Sequence, residues 1–372
     1  MISFKAIVTA DFHFTTQKNV SNAIVPMMSW CDEVLLCIVQ QVKDIHPDAF
    51  IILGDNTNSG NAIDRRRLAR RLLPLRREHI PIVMVPGNHD FNHCDIKGYR
   101  DVYEELMPPS EYDAASLSHG VTLDNIRLLA MDDSSFANST QGKFHPDTII
   151  WLRRQLSLAN TQGQLPLFLS HHNVLLDTWT PHPEHYQIQN KNLARLLKKQ
   201  GASIVLSAHQ HFPSIRQDDG IFEIIVPMPF MSPQVLGCLT INDDTLSYET
   251  IPIALSPSLQ ETAKQNNAMA FTNRLVVFQG IFKQNHCPPD TLSSLMKLIE
   301  QFYVFYEQGL GEREKGIIRN DPLYPSLMHF LGNSMYKGWI DYLLNHSLDS
   351  EKLILTHNGQ APWRFHHDPH RL

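Results

Sequence analysis

The first two thirds of the chain alternate short apolar runs with longer amphipathic segments. Apolar runs occur at residues 7–8, 49–53 and 82–85, and each is followed by a polar cluster. Between them, residues 33–45 and 64–78 place apolar side chains at helical spacing. Strands that alternate with helices in this way predict a layered α/β domain with buried strands.

The same pattern continues to about residue 255. Further apolar runs lie at residues 127–131, 165–169, 203–206 and 222–226, again with polar residues at their carboxyl ends. Residues 238–253 alternate apolar and polar side chains around Asn242, Asp243 and Asp244, which predicts a hairpin that closes the sheet.

The pattern changes after Ser256 and Pro257. Three stretches with helical spacing follow, at residues 259–283, 291–308 and 324–345, and prolines separate them. We therefore predict two domains, an α/β domain at residues 1–255 and a helical domain at residues 256–372. The aromatic run at residues 302–306 lies on one of these helices, where packing is the ordinary explanation and a role in capping substrate or in dimerisation is the alternative.

Composition narrows the class of protein. The chain has 372 residues, 42% hydrophobic and 19% charged, with a formal net charge of -6. The absence of a basic excess disfavours nucleic acid as a partner, and no apolar run reaches membrane-spanning length. The five cysteines are scattered without a CxxC pair, which indicates reduced thiols. We expect a cytoplasmic protein.

The candidate chemistry lies in five polar clusters that follow predicted strands. Carboxyl ends of strands in α/β sheets are where functional side chains usually meet. A single cluster of this kind is weak evidence, whereas their joint occurrence in one order is specific. The clusters comprise Asp11 with His13, Gly54 with Asp55 and Gly60, Gly87 with Asn88, His89 and Asp90, His171 with His172, and His209 with His211.

Together these motifs resemble those of the calcineurin-like metallophosphoesterases over about residues 3–255. The segment from Met131 to Ser135 and the later Trp151 and Leu152 are most similar to the class III cyclic-nucleotide phosphodiesterase branch. The resemblance implies a four-layer α/β/β/α sandwich with a metal pair at one edge of its two sheets.

The resemblance also implies a role for each motif residue. It assigns one metal to Asp11, His13 and His211, the second to Asn88, His171 and His209, and a bridging position to Asp55. Such ligands suit two divalent or trivalent ions, manganese or iron in the first place and zinc as an alternative. His89 is left to stabilise the transition state or to protonate the leaving oxygen, while a hydroxide shared by the metals attacks in line.

Three positions depart from the family pattern. Ala208 stands where a glycine usually precedes the last motif, and Asn58 replaces an aspartate that in many members pairs with the motif histidine, here His89. Asn173 stands where a proline is common. We choose His171 over His172 as the ligand because it immediately follows its strand.

The leading function is therefore hydrolysis of a phosphodiester, with a 3′,5′-cyclic nucleotide such as cAMP as the candidate substrate. A phosphomonoesterase or another phosphometabolite hydrolase is the alternative within enzymes, since the same metal pair serves them all. A non-catalytic metal-binding scaffold is the alternative from another class, and an oligomer is compatible with either. We also expect the helical domain to cover part of the metal cleft and to limit which substrates enter.

Overall fold

The computed structural model describes residues 3–17, 30–136, 141–175, 185–307, 310–345, 348, 351–357, 359 and 363–367. Its framework is a pair of seven-stranded sheets. The first has the order β14-β13-β12-β11-β1-β2-β3. Its strands are β1 (Ser3–Thr9), β2 (Ala49–Leu53), β3 (Ile82–Val85), β11 (Val235–Asn242), β12 (Thr245–Pro252), β13 (Lys352–His357) and β14 (Phe365–His367).

The second sheet has the order β4-β5-β6-β7-β8-β10-β9. Its strands are β4 (Glu111–Tyr112), β5 (His119–Leu123), β6 (Ile126–Ala130), β7 (Leu165–Leu169), β8 (Ile204–Ser207), β9 (Ser214–Asp218) and β10 (Ile221–Ile225). Strands β1, β2 and β3 are mutually parallel, and so are β6, β7, β8 and β10. Parallel neighbours bring their carboxyl ends to the same edge of each sheet.

The two sheets pack face to face and are covered by helices on the outside. Along β1, Phe4, Ala6 and Val8 point into the core between the sheets, whereas Ile7 points outward to the helices, as the two-residue period of a strand requires. The outer layers are α1 (Cys31–Ile45), α2 (Ala62–Arg77) and α3 (Ile96–Tyr103) on the first sheet, and α4 (Pro146–Thr161) and α5 (Leu193–Lys199) on the second. The four-layer α/β/β/α prediction is confirmed.

The C-terminal region forms a helical cluster with its own apolar core. Its helices are α6 (Pro257–Gln284), α7 (Pro289–Glu307), α8 (Glu312–Arg319), α9 (Tyr324–Phe330) and α10 (Met335–Asn345). The helix predicted over residues 324–345 is interrupted, because Gly332 adopts a left-handed φ of 57° just after α9. Helix α8 was not predicted.

The end of the chain departs from an all-helical expectation for residues 256–372. Strand β13 pairs with β12 of the first sheet, and its Leu353 and Leu355 enter the core between the sheets. The short apolar run of Leu353, Ile354 and Leu355 is the sequence signal for this strand. The division of the chain into domains at residues 255 and 256 stays a prediction.

Two further expectations concern the whole chain. All five cysteines are free thiols. Within the described ranges, no helix combines the length and the apolar character that crossing a membrane requires. The cytoplasmic location stays a prediction.

Candidate metal centre

The predicted site residues all lie in loops at the carboxyl ends of parallel strands. Asp11 and His13 follow β1, Asp55 follows β2 and Asn88 follows β3, while on the other sheet His171 follows β7 and the pair His209 and His211 follows β8. The sheets face each other, so these ends converge at one edge of the sandwich.

Two groups of ligand atoms result, and Asp55 belongs to both. The first contains Asp11, His13, Asp55 and His211, and the second contains Asp55, His171 and His209; within each group the ligand atoms lie within 4.8 Å of one another. The Oδ2 atom of Asp55 is 3.4 Å from Nε2 of His13 and 3.4 Å from Nε2 of His171. A single carboxylate thus stands between the two groups.

Asn88 joins the second group through its amide oxygen. Its Oδ1 lies 3.2 Å from Nε2 of His171, and Nδ1 of His209 lies 3.1 Å from the same nitrogen. On the other side, Nε2 of His13 and Nε2 of His211 are 3.2 Å apart. Every predicted ligand is therefore in contact with another one.

The backbone of these loops is strained in a consistent way. Left-handed φ angles occur at Asp11 (49°), His13 (40°), Asp55 (45°), His209 (69°) and His211 (66°). Each such angle costs a non-glycine residue on the order of 1 kcal/mol and persists where the surroundings enforce it, commonly at functional sites.

Contacts between the loops enforce this geometry. The amide of Asp11 donates to the carbonyl of Gly54 at 3.0 Å, and that of His13 donates to the carbonyl of Asp55 at 2.8 Å. Gly54 must lack a side chain, because a Cβ there would lie 2.4 Å from Nδ1 of His171. Such close packing holds the two sheets' loops against each other.

Carbonyl acceptors fix which nitrogen of each histidine faces the cluster. Nδ1 of His171 lies 3.0 Å from the carbonyl oxygen of Leu53, and Nε2 of His209 lies 3.0 Å from that of His185. Each nitrogen must carry a proton to donate to a carbonyl, which leaves Nε2 of His171 and Nδ1 of His209 as lone-pair donors. Metal-binding histidines are oriented in this manner.

The electrostatics of the cluster call for added positive charge. Burial lowers the pKa of His211 to about 4 and that of His13 well below its usual range, so these imidazoles are neutral and can offer a lone pair. Burial raises the pKa of Asp11 to about 8. Burial works against charge on Asp55 too, yet His171 and its neighbouring histidines outweigh it and hold the pKa of Asp55 well below its usual range. Burial lowers the pKa of His171, but the Asp55 carboxylate more than compensates and raises it to about 10. Without a metal, Nε2 of His171 therefore also carries a proton, which a metal ion would have to displace.

The donor set fits a pair of metal ions. Within the described part of the chain, the buried Oδ1 of Asp11 has no hydrogen-bond partner although it points into the cluster, and a buried carboxylate oxygen without a partner is costly. Imidazole nitrogens with carboxylate and amide oxygens are the ligands of manganese, iron and zinc rather than of calcium. The buried cluster therefore fits a dinuclear metal site.

His89 lies beside the cluster and is partly exposed. Its side chain is 35% exposed and its Nε2 is 4.0 Å from Oδ2 of Asp55. Nδ1 lies 2.9 Å from the backbone carbonyl of Asn58. The carbonyl therefore orients the ring where an aspartate side chain was expected from the family pattern, and it does so without adding a negative charge.

Two buried carboxylates that lie within the sequence motifs, but to which no role was assigned, hold the loops of the predicted ligands in place. Asp90 accepts from Gly87, Asn56 and Thr57, which ties the loop after β3 to the loop after β2. Asp133 accepts from the amides of His171 and His172 and lies 2.9 Å from Nδ1 of His172. His172 is thus engaged by Asp133, while His171 faces Asp55. The sequence signal for their importance was that Asp90 lies in the third motif and Asp133 lies in the Met131 to Ser135 segment.

Comparison with known proteins agrees with this geometry. The family model for calcineurin-like phosphoesterases matches residues 4–213. A glycerophosphodiester phosphodiesterase of Enterobacter lignolyticus is 25% identical over 241 residues, which cover 64% of this chain and 80% of the relative. A zebrafish transmembrane protein with a metallophosphoesterase domain is 25% identical over 219 residues, 57% of this chain and 43% of that protein.

Among solved structures, a dimetal phosphatase from zebrafish has the same fold. It superposes with a TM-score of 0.55 at 14% identity and covers 68% of this chain and 97% of its own. The family match spans more than half of the chain and includes all of the strand-end loops described above. The chain belongs to the calcineurin-like phosphoesterase family and is a metal-dependent phosphoric ester hydrolase.

Proposed function

We propose that the protein is a dinuclear-metal phosphodiesterase and that a 3′,5′-cyclic nucleotide such as cAMP is its substrate. The observation that carries the proposal is the sharing of Asp55 between two groups of ligand atoms. In the proposed assignment Asp11, His13 and His211 hold one metal, Asn88, His171 and His209 hold the other, and Asp55 bridges them.

When bound, such a metal pair acidifies water near neutral pH and neutralises the phosphoryl oxygens. A residue of the chain is needed to protonate the leaving oxygen. His89 is partly exposed beside Asp55 and is oriented through Nδ1, so its Nε2 can hold a proton for the departing oxygen. A side chain in that role contributes about 10² to 10⁴ in rate.

Two observations support a diester over a monoester. The relative from Enterobacter lignolyticus, 25% identical over 241 residues, is a phosphodiesterase. The site also opens, beside His211, on a cavity of about 210 Å³, which offers room for the second organic group that distinguishes a diester from a monoester.

A hydrolysis panel with added manganese tests the proposal. The substrates are bis-p-nitrophenyl phosphate, p-nitrophenyl phosphate, and 2′,3′- and 3′,5′-cyclic nucleotides. We expect the diesters to be hydrolysed faster than the monoester, and we expect His209→Ala or Asn88→Ala to abolish turnover. Faster monoester hydrolysis would favour the phosphomonoesterase, and metal binding without any hydrolysis would favour the scaffold.

A further inference from the structure

The cavity beside the metal centre has walls from both parts of the chain. His211 and Phe212, which follow β8, line it together with Arg274 of α6, Tyr303 of α7 and Trp339 of α10. His211 also belongs to the first group of ligand atoms. A phosphoester whose phosphoryl group lies at the metal centre can therefore extend an organic group directly into this cavity.

The cavity walls are mainly aromatic, and their rings pack against one another. Trp339 packs against Phe212 at 6.0 Å, Tyr303 at 5.9 Å and Tyr306 at 5.4 Å between ring centroids. These rings therefore form one continuous aromatic cluster along the cavity. At about 210 Å³ it is smaller than the roughly 300 to 1,000 Å³ of drug-sized pockets, which suits one flat ring system rather than an extended chain.

The cavity is lined by one guanidinium group and by the indole of Trp339. Arg274 lines it with its guanidinium carbon 5.4 Å from the centroid of Tyr303. The indole Nε1 of Trp339 is buried and finds no acceptor among the residues that the structure describes. The described lining residues include no aspartate or glutamate. A ligand that fits these walls carries hydrogen-bond acceptors on its ring edge, as a nucleobase does.

We propose that this cavity is a subsite for a planar aromatic group of the phosphoester, with ring acceptors that face Arg274 and Trp339. The proposal rests on the proposed function in placing the phosphoryl group at the metal centre. It assigns substrate selection to helices that lie outside residues 4–213, the part matched by the family model.

Binding of two matched ligands to the manganese-loaded protein tests the subsite. Adenosine 5′-monophosphate and ribose 5-phosphate share their phosphate and sugar and differ by the base, and calorimetry measures both. We expect the nucleotide to bind at least about tenfold more tightly, since stacking of a base on aromatic side chains strengthens binding by that order. Equal affinities would overturn the proposal.

Three variants locate the effect. Trp339→Phe keeps a ring and removes the Nε1 donor, and Arg274→Met removes the charge but keeps an apolar stem. Each substitution should weaken binding of the nucleotide by about fivefold to tenfold, the loss expected for one hydrogen bond. The affinity for ribose 5-phosphate should stay unchanged. Lys264→Met is the control, because Lys264 lies on the same helix α6 but lines a different cavity. Equal weakening of both ligands, or no weakening, would contradict the assignment.

The hydrolysis panel separates this proposal from the proposed function. Hydrolysis of diesters together with equal affinities for the two ligands would refute the subsite and leave the phosphodiesterase standing. Base-dependent binding without hydrolysis of any phosphoester would support the subsite and refute the phosphodiesterase.

Discussion

Asp90 offers a sharp test of how the ligand loops are held, because it is fully buried and is not itself a predicted ligand. Its Oδ2 accepts from the amide of Gly87 at 3.0 Å, the amide of Asn56 at 3.1 Å and Nδ2 of Asn56 at 2.8 Å. Its Oδ1 accepts from the amide and the hydroxyl of Thr57 at 2.9 and 3.0 Å. The substitution Asp90→Asn changes few atoms and breaks this pattern.

The cost follows from the directions of these hydrogen bonds. If the new amide oxygen takes the place of Oδ2, three of the contacts survive, but the new NH₂ group then faces the backbone N–H of Thr57. A buried donor is left unpaired, which costs about 1 to 3 kcal/mol, and the lost charge-assisted bonds add to it. We expect the free energy of unfolding to fall by about 3 kcal/mol.

Urea denaturation of the metal-free protein measures this loss, and manganese titration measures its effect on the site. Because Asp90 ties the loop of Asp55 to the loop of Asn88, metal affinity should fall as well. The control is Asp101→Asn, which alters an exposed carboxylate paired with Lys97 and should change stability by less than about 0.5 kcal/mol. A loss for Asp90→Asn no greater than the control's would refute this reasoning.

Three further predictions concern the proton donor, the metals and pH. His89→Gln should lower kcat by about 10² to 10⁴ while metal content, measured by elemental analysis, stays unchanged; a large loss of metal would instead identify His89 as a ligand. Chelation should lower Tm and manganese should restore it, because a metal at about 1,000 times its Kd stabilises the fold by about 4 kcal/mol; an unchanged Tm would contradict a buried metal pair. Burial lowers the pKa of His119 from 6.5 to about 4. As pH falls, His119 is therefore protonated in the unfolded chain before it is protonated in the folded protein. The stability that comes from keeping His119 neutral is complete above about pH 6.5 and is lost as pH falls toward 4. At about 1.4 kcal/mol per pKa unit, the free energy of unfolding of the metal-free protein should fall by about 3 kcal/mol more over that pH window than that of the His119→Phe variant. Parallel plots of unfolding free energy against pH for the two proteins would refute the assignment.

The sequence was informative wherever a structural signal was local. Apolar runs such as residues 49–53 and 82–85 became β2 and β3 with matching bounds, because a strand buried on both faces must be apolar throughout. The hairpin of β11 and β12 was also found, since its alternation and its turn lie within a few residues of each other.

The C-terminal region was harder to predict because its elements depend on distant partners. Strand β13 joins the sheet only through β12, about a hundred residues earlier in the chain. Helix α8 is only eight residues long and mostly polar, and it packs against α10. The aromatic run of α7 did pack, as expected, yet Tyr303 and Tyr306 also line the cavity beside His211.

The sequence by itself determined the order of the motifs along the chain and the residue types at each strand end. Through the resemblance of these motifs to one family, it also gave the candidate ligands. Only the tertiary structure decided that the candidate ligands meet around Asp55, which carbonyls orient His171, His209 and His89, and where the aromatic cavity opens. The physical reason is separation along the chain. His13 and His211 are 198 residues apart, yet their Nε2 atoms lie 3.2 Å from each other, and no local pattern encodes a contact that two folded sheets create.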